Sequence, residues 1–229
     1  MSARIVAVFG NLVVAEVDGR VVQNSLAYCV RSDGVRLMSE VIRVRGPVAD
    51  LQVFEETRGL RVGDPVELRD EMLSVVLGPG LLGRIYDGLQ NPLPELAEQV
   101  GFFLEPGCYI HGLSLEQNWD FTPVTQPGQV VGPGATLGTV PEGQFTHRIM
   151  VPLSWRGEFS VDKVAAAGQY TVEEEIATVT SPDGQQLSVT MQQNWPIKRA
   201  LNVCRRRLLP TEPMVSRVRI IDSMFPVVR

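Results

Sequence analysis

The chain has 229 residues, 44% of them apolar, enough to bury a core in one large domain or two small ones, and two is the expectation. Its 26 acidic and 21 basic residues give a net charge of −5, a field that repels polyanions and excludes nucleic acid as an expected partner. With 21 Gly and 16 Pro, turn formers are in excess, the mark of many short strands, so the fold class expected is mainly β with little helix.

The N-terminal run MSARIVAVFGNLVVAEV is broken by Asn11, Glu16 and Asp18 before it reaches membrane-spanning length. A soluble, cytoplasmic chain without direct membrane insertion is therefore expected. From Arg4 to Leu68 short apolar runs alternate with turn signals. Ile5 to Phe9 precedes Gly10-Asn11, Leu12 to Val17 precedes Asp18-Gly19, Leu26 to Val30 precedes Ser32-Asp33-Gly34, and Val41 to Val44 precedes Gly46-Pro47. In Leu51-Gln52-Val53 the period of two that buries one face of an antiparallel sheet is visible. About six such strands would close most simply into a small antiparallel barrel, which removes exposed edges.

Met72 to Leu77 reads as a further strand, and Gly78, Gly80 and Gly83 after it form G-x-G-x-x-G, the pattern of a dinucleotide loop. That chemistry requires the third glycine to open a helix whose N-terminal amides hold a pyrophosphate. Gly88 and Asn91-Pro92 interrupt any such helix, and Glu98 is a lone acid at roughly ribose-binding spacing, so no cofactor is expected here. A short helix is expected within Leu93 to Leu104, with Pro94 near its start, Leu96, Ala97 and Val100 at helical spacing, and Gly101 at its end.

From Gly107 to Val189 a second β-rich unit is expected. Pro127 to Val140 and Ala167 to Val179 are weakly alike, each opening with Gly-Gln (Gly128-Gln129 and Gly168-Gln169), which suggests a pseudo-symmetric pair of hairpins. The pattern resembles the flattened barrel of lipoyl and biotinyl carrier domains. Where those carriers place a modified lysine, this chain has Pro141-Glu142-Gly143, and its Asp162-Lys163 pair lies in the other half, so the modification site is absent.

Cys29, Cys108 and Cys204 are far apart and unpaired by motif, and His111 and His147 lack companions at ligand spacing, so neither a disulfide framework nor a metal site is expected. Glu173 to Glu175 and Arg205 to Arg207 read as solvated charge, the arginines alternatively as a contact for an acidic neighbouring subunit.

Several collinear stretches point to one family. Phe54 to Val66, LGPGLLGRIYDGLQNPL (Leu77 to Leu93), Phe145 to Pro152, Gly168 to Glu174, Trp195 to Lys198 and Arg219 to Val227 resemble the catalytic subunit of V-type and A-type rotary ATPases, from its N-terminal barrel to the approach to its nucleotide-binding core. The resemblance implies residues 1–70 as the barrel, 71–106 as a connector with a short helix, 107–189 as the inserted bulge domain and 190–229 as the lead-in to a P-loop domain. No G-x-x-x-x-G-K-[ST] occurs in the sequence, so the expectation is an N-terminal fragment with no catalytic, cofactor-binding or metal residue.

In the parent, the resemblance implies Mg-ATP or ADP as ligand, an alternating ring with non-catalytic B-type subunits, peripheral stator subunits as further partners, and ATP hydrolysis or synthesis coupled to ion transport. Trp119, Phe121 and Trp155 would supply a stator contact or else fill the unit's own core. The competing readings are a stand-alone β-rich scaffold module and a carrier domain. One departure stands out: Ser216-Arg217 occupies a place where the family usually has Thr-Gly, so a turn needing glycine's freedom would be strained or reshaped.

Overall fold

A computed structural model describes residues 2–101, 103–200 and 209–228. It divides into a large unit, Met1–Lys198, and a small one, Arg199–Arg229.

The large unit begins with the six expected strands: β1 (Ser2–Phe9), β2 (Leu12–Asp18), β3 (Ser25–Val30), β4 (Arg36–Arg45), β5 (Val48–Val53) and β6 (Pro65–Met72). They close into an antiparallel barrel in the order β1-β2-β5-β4-β3-β6. Alternation builds it: Val13, Ala15 and Val17 of β2 point inward while Glu16 and Asp18 face water. Small residues, Ala3, Ala15, Ala27 and Ala49, fill the interior beside Ile5, Leu37, Val41 and Leu51, which suits a narrow barrel packed by its own side chains. The seam between β1 and β6 is short, only Ala3 opposite Val66 and Arg4 opposite Pro65. Pro65 lies at the first position of its strand, where its missing donor is tolerated.

Two polar groups inside the barrel wall are compensated. Asp50 is almost fully buried and takes hydrogen bonds from Arg43 (2.7 Å) and Arg45 (2.9 Å), whose heads remain in water. Ser39, also buried, donates to the Ala27 carbonyl at 3.0 Å and lies beside Cys29. Burial pushes the Cys29 thiol up to about 11, the behaviour of a packing residue and not of a reactive one.

The apolar run Met72 to Leu77 is not one strand. The barrel ends at Met72, the chain turns at Leu73, and β7 (Ser74–Leu77) leaves the barrel altogether. A period-of-two reading could not see this break, because Met72-Leu73 runs without a turn signal into the apolar Val75 to Leu77. The helix α1 (Leu93–Val100) follows, with Pro94 in its first turn, Leu96 buried and Gly101 at its C-cap.

The second β unit holds β8 (Trp119–Pro123), β9 (Val130–Val131), β10 (Thr136–Glu142), β11 (Phe145–Met150), β12 (Phe159–Val164), β13 (Gly168–Tyr170), β14 (Ala177–Thr180) and β15 (Gln186–Val189). Its two four-stranded sheets run β11-β10-β8-β13 and β15-β14-β12-β9. The first four strands map onto the second four in sequence order, and each half lends its second strand to the other half's sheet. Of the openings of the weak repeat, Gly128-Gln129 precedes β9 and Gly168-Gln169 begins β13, the two exchanged strands.

One core joins the sheets, with Phe121, Leu137, Val140 and Ile149 from the first and Phe159, Val161, Val179 and Val189 from the second. Within the first sheet Gly138 leaves room for its neighbour's ring: a Cβ there would lie 2.2 Å from the Phe121 ring. Finally β16 (Gln193–Pro196) returns to pair with β7, Trp195 opposite Val75, and Lys198 salt-bridges the nearly buried Glu40 of the barrel at 2.8 Å. The connector is thus held by the chain on both sides of the second β unit.

In the small unit, β17 (Pro213–Met214) pairs with β18 (Val227–Val228), and α2 (Arg219–Met224) lies between them. Arg217 adopts φ +64°, the left-handed conformation, in the place where the sequence departs from Thr-Gly. The backbone keeps the glycine-type turn, and an arginine bears its strain, of roughly 1–2 kcal/mol. Asp222 steadies the turn by accepting from the Ser216 amide (2.9 Å), the Ser216 hydroxyl (2.6 Å) and the Arg217 amide (3.0 Å). These bonds, led by the Ser216 hydroxyl, hold the Asp222 carboxyl below its ordinary range.

Candidate functional site

The glycine loop is the place where sequence chemistry and structure can be compared most directly. No helix opens at Gly83; the segment after it is a chain of turns as far as α1. Gly80 (φ +103°) and Gly83 (φ +79°) take positive φ, whereas Gly78 is there for space. A Cβ on Gly78 would come within 2.8 Å of Leu113 and 3.2 Å of the Met191 carbonyl.

The loop does present amides to an anion, as glycine-rich loops do, but the anion is the protein's own. The Gly80 N–H donates to Glu142 Oε1 at 2.6 Å, and the Leu82 N–H reaches the same oxygen at 3.3 Å. The other carboxylate oxygen pairs with His147 Nδ1 at 2.8 Å. Glu142 is buried at 6% exposure. It stands at the end of β10, at the β10–β11 hairpin, with His147 in the next strand. The position that would carry a modified lysine in a carrier domain therefore carries an acid that locks the hairpin to the connector, and Lys163 lies within β12, away from that turn.

The rest of the connector is cross-linked through its own side chains. The Gln90 carboxamide mimics a strand neighbour, accepting from the Val76 N–H (2.7 Å) and donating to the Val76 carbonyl (2.6 Å). Asp87 accepts from the Leu89 and Asn91 amides and from the Asn91 side chain. Asn91 in turn accepts from the Ile110 amide at 2.8 Å. Tyr86 donates its hydroxyl to the Gly112 carbonyl at 2.8 Å. These polar groups hold the connector in one conformation.

The other singled-out residues are placed as follows. Trp119 and Phe121 are core residues at 8% and 1% exposure, and Trp155 packs partly buried against Phe159. Burial removes Trp119 and Phe121 as surface contacts and favours their core reading. Glu173 and Glu174 are exposed, and Glu175 accepts hydroxyl hydrogen bonds from Ser188 and Thr178, which lower its carboxyl, the Ser188 bond most. Cys204 and Arg205 to Arg207 lie outside the described residues. His111 bonds the Leu113 carbonyl within its own loop. Among the described residues no group of three or more His, Cys, Asp or Glu is arranged to hold a metal ion, and no helix is long and apolar enough to cross a membrane. The Glu142 anchor itself escaped sequence reasoning, since nothing local connects it to a loop some sixty positions earlier.

Comparison with known proteins matches both β units separately. Residues 5–69 match the beta-barrel domain of the ATP synthase alpha/beta family. Residues 110–198 match the barrel-sandwich domain of ATP synthase alpha/beta subunits. Among similar proteins, the V-type ATP synthase alpha chain of Treponema denticola is 48% identical over 226 residues, covering 99% of this chain. V-type ATP synthase alpha chain 1 of Treponema pallidum is 49% identical over 223 residues, or 97% of this chain. The V-type ATP synthase alpha chain of Borreliella burgdorferi is 45% identical over 226 residues. The chain spans 38–39% of the length of these relatives.

Proposed function

Because the chain belongs to the ATP synthase alpha/beta family, we propose that it is the N-terminal part of a V-type ATP synthase alpha chain, acting in assembly and not in the chemical step. The observation that carries this reading is the unbroken likeness along 97–99% of the chain to alpha chains, with a barrel and a barrel-sandwich unit in the same order.

In this reading the closed barrel, residues 1–70, is the rigid rim through which the subunit meets B-type neighbours in an alternating ring. A closed barrel suits that role because its ladder bonds are satisfied internally and it resists shear. Val6 and Phe9 on β1, and Val62 in the loop bonded to that strand, expose apolar area for such a contact. The connector, residues 71–106, transmits load to the bulge, residues 107–189, which meets the peripheral stator, and residues 190–229 lead toward a nucleotide domain. ATP turnover with magnesium, and its coupling to ion movement, belong to the assembled cytoplasmic complex at a membrane and draw on sequence other than these 229 residues, which contain no P-loop motif.

The test is co-expression of this chain with a B-type subunit from a spirochaete close to these relatives, followed by affinity capture. Retention of the B-type subunit by the unaltered chain, and its loss in Phe9→Ser with Val62→Ser, is the expected result. No retention by a folded, unaltered chain would leave the stand-alone scaffold module as the better account.

A further inference from the structure

The face where the barrel meets the connector carries a cavity of about 500 Å³ that the glycine-loop anchor does not use. Its apolar floor is made by Phe54, Leu89 and Leu96, and its rim by Leu104 and acidic side chains. Among the described residues that line it, Glu55, Glu56, Asp87 and Glu105 are carboxylates and none is a lysine, arginine or histidine. Leu104 is 64% exposed, so a large apolar side chain of the rim stands in water, and Phe103, next to it in the chain, is 87% exposed. Neighbouring exposed side chains of this size mark a contact surface more often than a random surface.

We propose that this cavity docks a short basic peptide segment of a partner protein, one that places a leucine-sized side chain on the floor and Lys or Arg against the rim. The acids divide the work. Asp87 is fully engaged by the connector, and Glu55 holds the Gly107 amide at 2.8 Å, so both shape the wall. Glu56 and Glu105 are exposed and face the incoming segment, Glu56 exchanging its exposed Arg58 partner, 3.1 Å away, for the ligand's base. Exchange is cheap because a pair between such exposed side chains is screened by water and contributes little. Charge sets the orientation and the encounter rate, and the buried leucine supplies most of the affinity. Small organic cations, a second copy of this chain and nonspecific attraction to a chain of net negative charge are the rival occupants.

The probe is a fluorescein-labelled hexapeptide, Lys-Arg-Leu-Leu-Arg-Lys, titrated with the 229-residue chain and read by fluorescence anisotropy. Saturable binding is expected, weakened at least tenfold when the leucines are replaced by serines. Glu56→Lys and Glu105→Lys are each expected to weaken binding at least fivefold, and Glu173→Lys, an identical charge change on the other β unit, by less than twofold. Thermal denaturation checks that each variant remains folded. Equal losses in all three variants, equal binding of the serine peptide, or binding that tracks self-association in sedimentation would each overturn the proposal.

Discussion

Removing the Glu142 carboxylate should loosen the connector without unfolding either β unit. In Glu142→Ala the Gly80 amide loses its 2.6 Å acceptor, the Leu82 amide a longer bond of 3.3 Å, and His147 its 2.8 Å partner. A hydrogen bond to a charged group contributes about 1.5–3 kcal/mol, and a longer or exposed one well under that. Leu82 is exposed, so water replaces most of its loss, while Gly80 is only half-open. The expected total is about 3 kcal/mol, which for a chain of this size lowers Tm by roughly 6–12 °C. Glu142→Gln keeps an oxygen opposite both amides and should cost about 1 kcal/mol, the difference between charged and neutral acceptors. Thermal and urea denaturation give the energies, and amide hydrogen exchange locates them. Gly80 should exchange faster in the alanine variant while Leu51 and Val179, in the two cores, do not. Should alanine and glutamine match the parent in stability, with Gly80 exchange unaltered, the carboxylate would not be what seats the loop.

Three further outcomes follow from the geometry. Gly138→Ala should destabilise the barrel-sandwich unit by about 1–3 kcal/mol through overpacking, since the new methyl group would meet the Phe121 ring at 2.2 Å; urea unfolding followed by tryptophan fluorescence measures it. Burial alone raises the Asp50 carboxyl, but the Arg43 and Arg45 guanidinium groups together outweigh it, and the group ends below its ordinary value. A carboxyl lowered by folding adds stability above its unfolded pKa, near 3.9, and forfeits it as pH falls through the folded value, so Asp50→Asn should flatten the acid limb of the stability profile below about pH 4 while lowering stability at pH 7. Arg217→Gly should relieve the left-handed φ of +64° and slow exchange of the Ser216 and Arg217 amides; faster exchange would mean that the turn is not strained.

Local rules made the barrel legible. Leu51-Gln52-Val53 shows the period of two, and Gly10, Gly19, Gly34 and Gly46 punctuate the runs at positions where φ is positive. The repeat of the second unit was also visible, because a Gly-Gln pair stands at the start of corresponding strands in each half. What the repeat could not reveal is that β9 and β13 change places between the sheets, since pairing partners depend on which edge the chain meets in space and not on local periodicity. The separation of β7 from β6 was hidden for a similar reason. Ser74 to Leu77 is as apolar as a barrel strand, and only its partner Gln193–Pro196, more than a hundred residues later, decides where it belongs. The glycine loop lacks the following helix that a phosphate site needs, and the contact its amides make, to Glu142, is a tertiary one that no short motif encodes. Trp119 and Phe121 were ambiguous because an aromatic residue in a strand fits a core and an interface equally well until burial is known.

The Gly80 and Leu82 amides of the glycine loop are taken by the Glu142 carboxylate, and a nucleotide phosphate would have to displace it. Nuclear magnetic resonance of the amide-labelled chain, titrated with Mg-ATP, tests this most directly. The account predicts that the Gly80, Leu82 and Gly83 signals stay in place up to millimolar nucleotide, whereas saturable shifts at those three amides with a micromolar midpoint would contradict it.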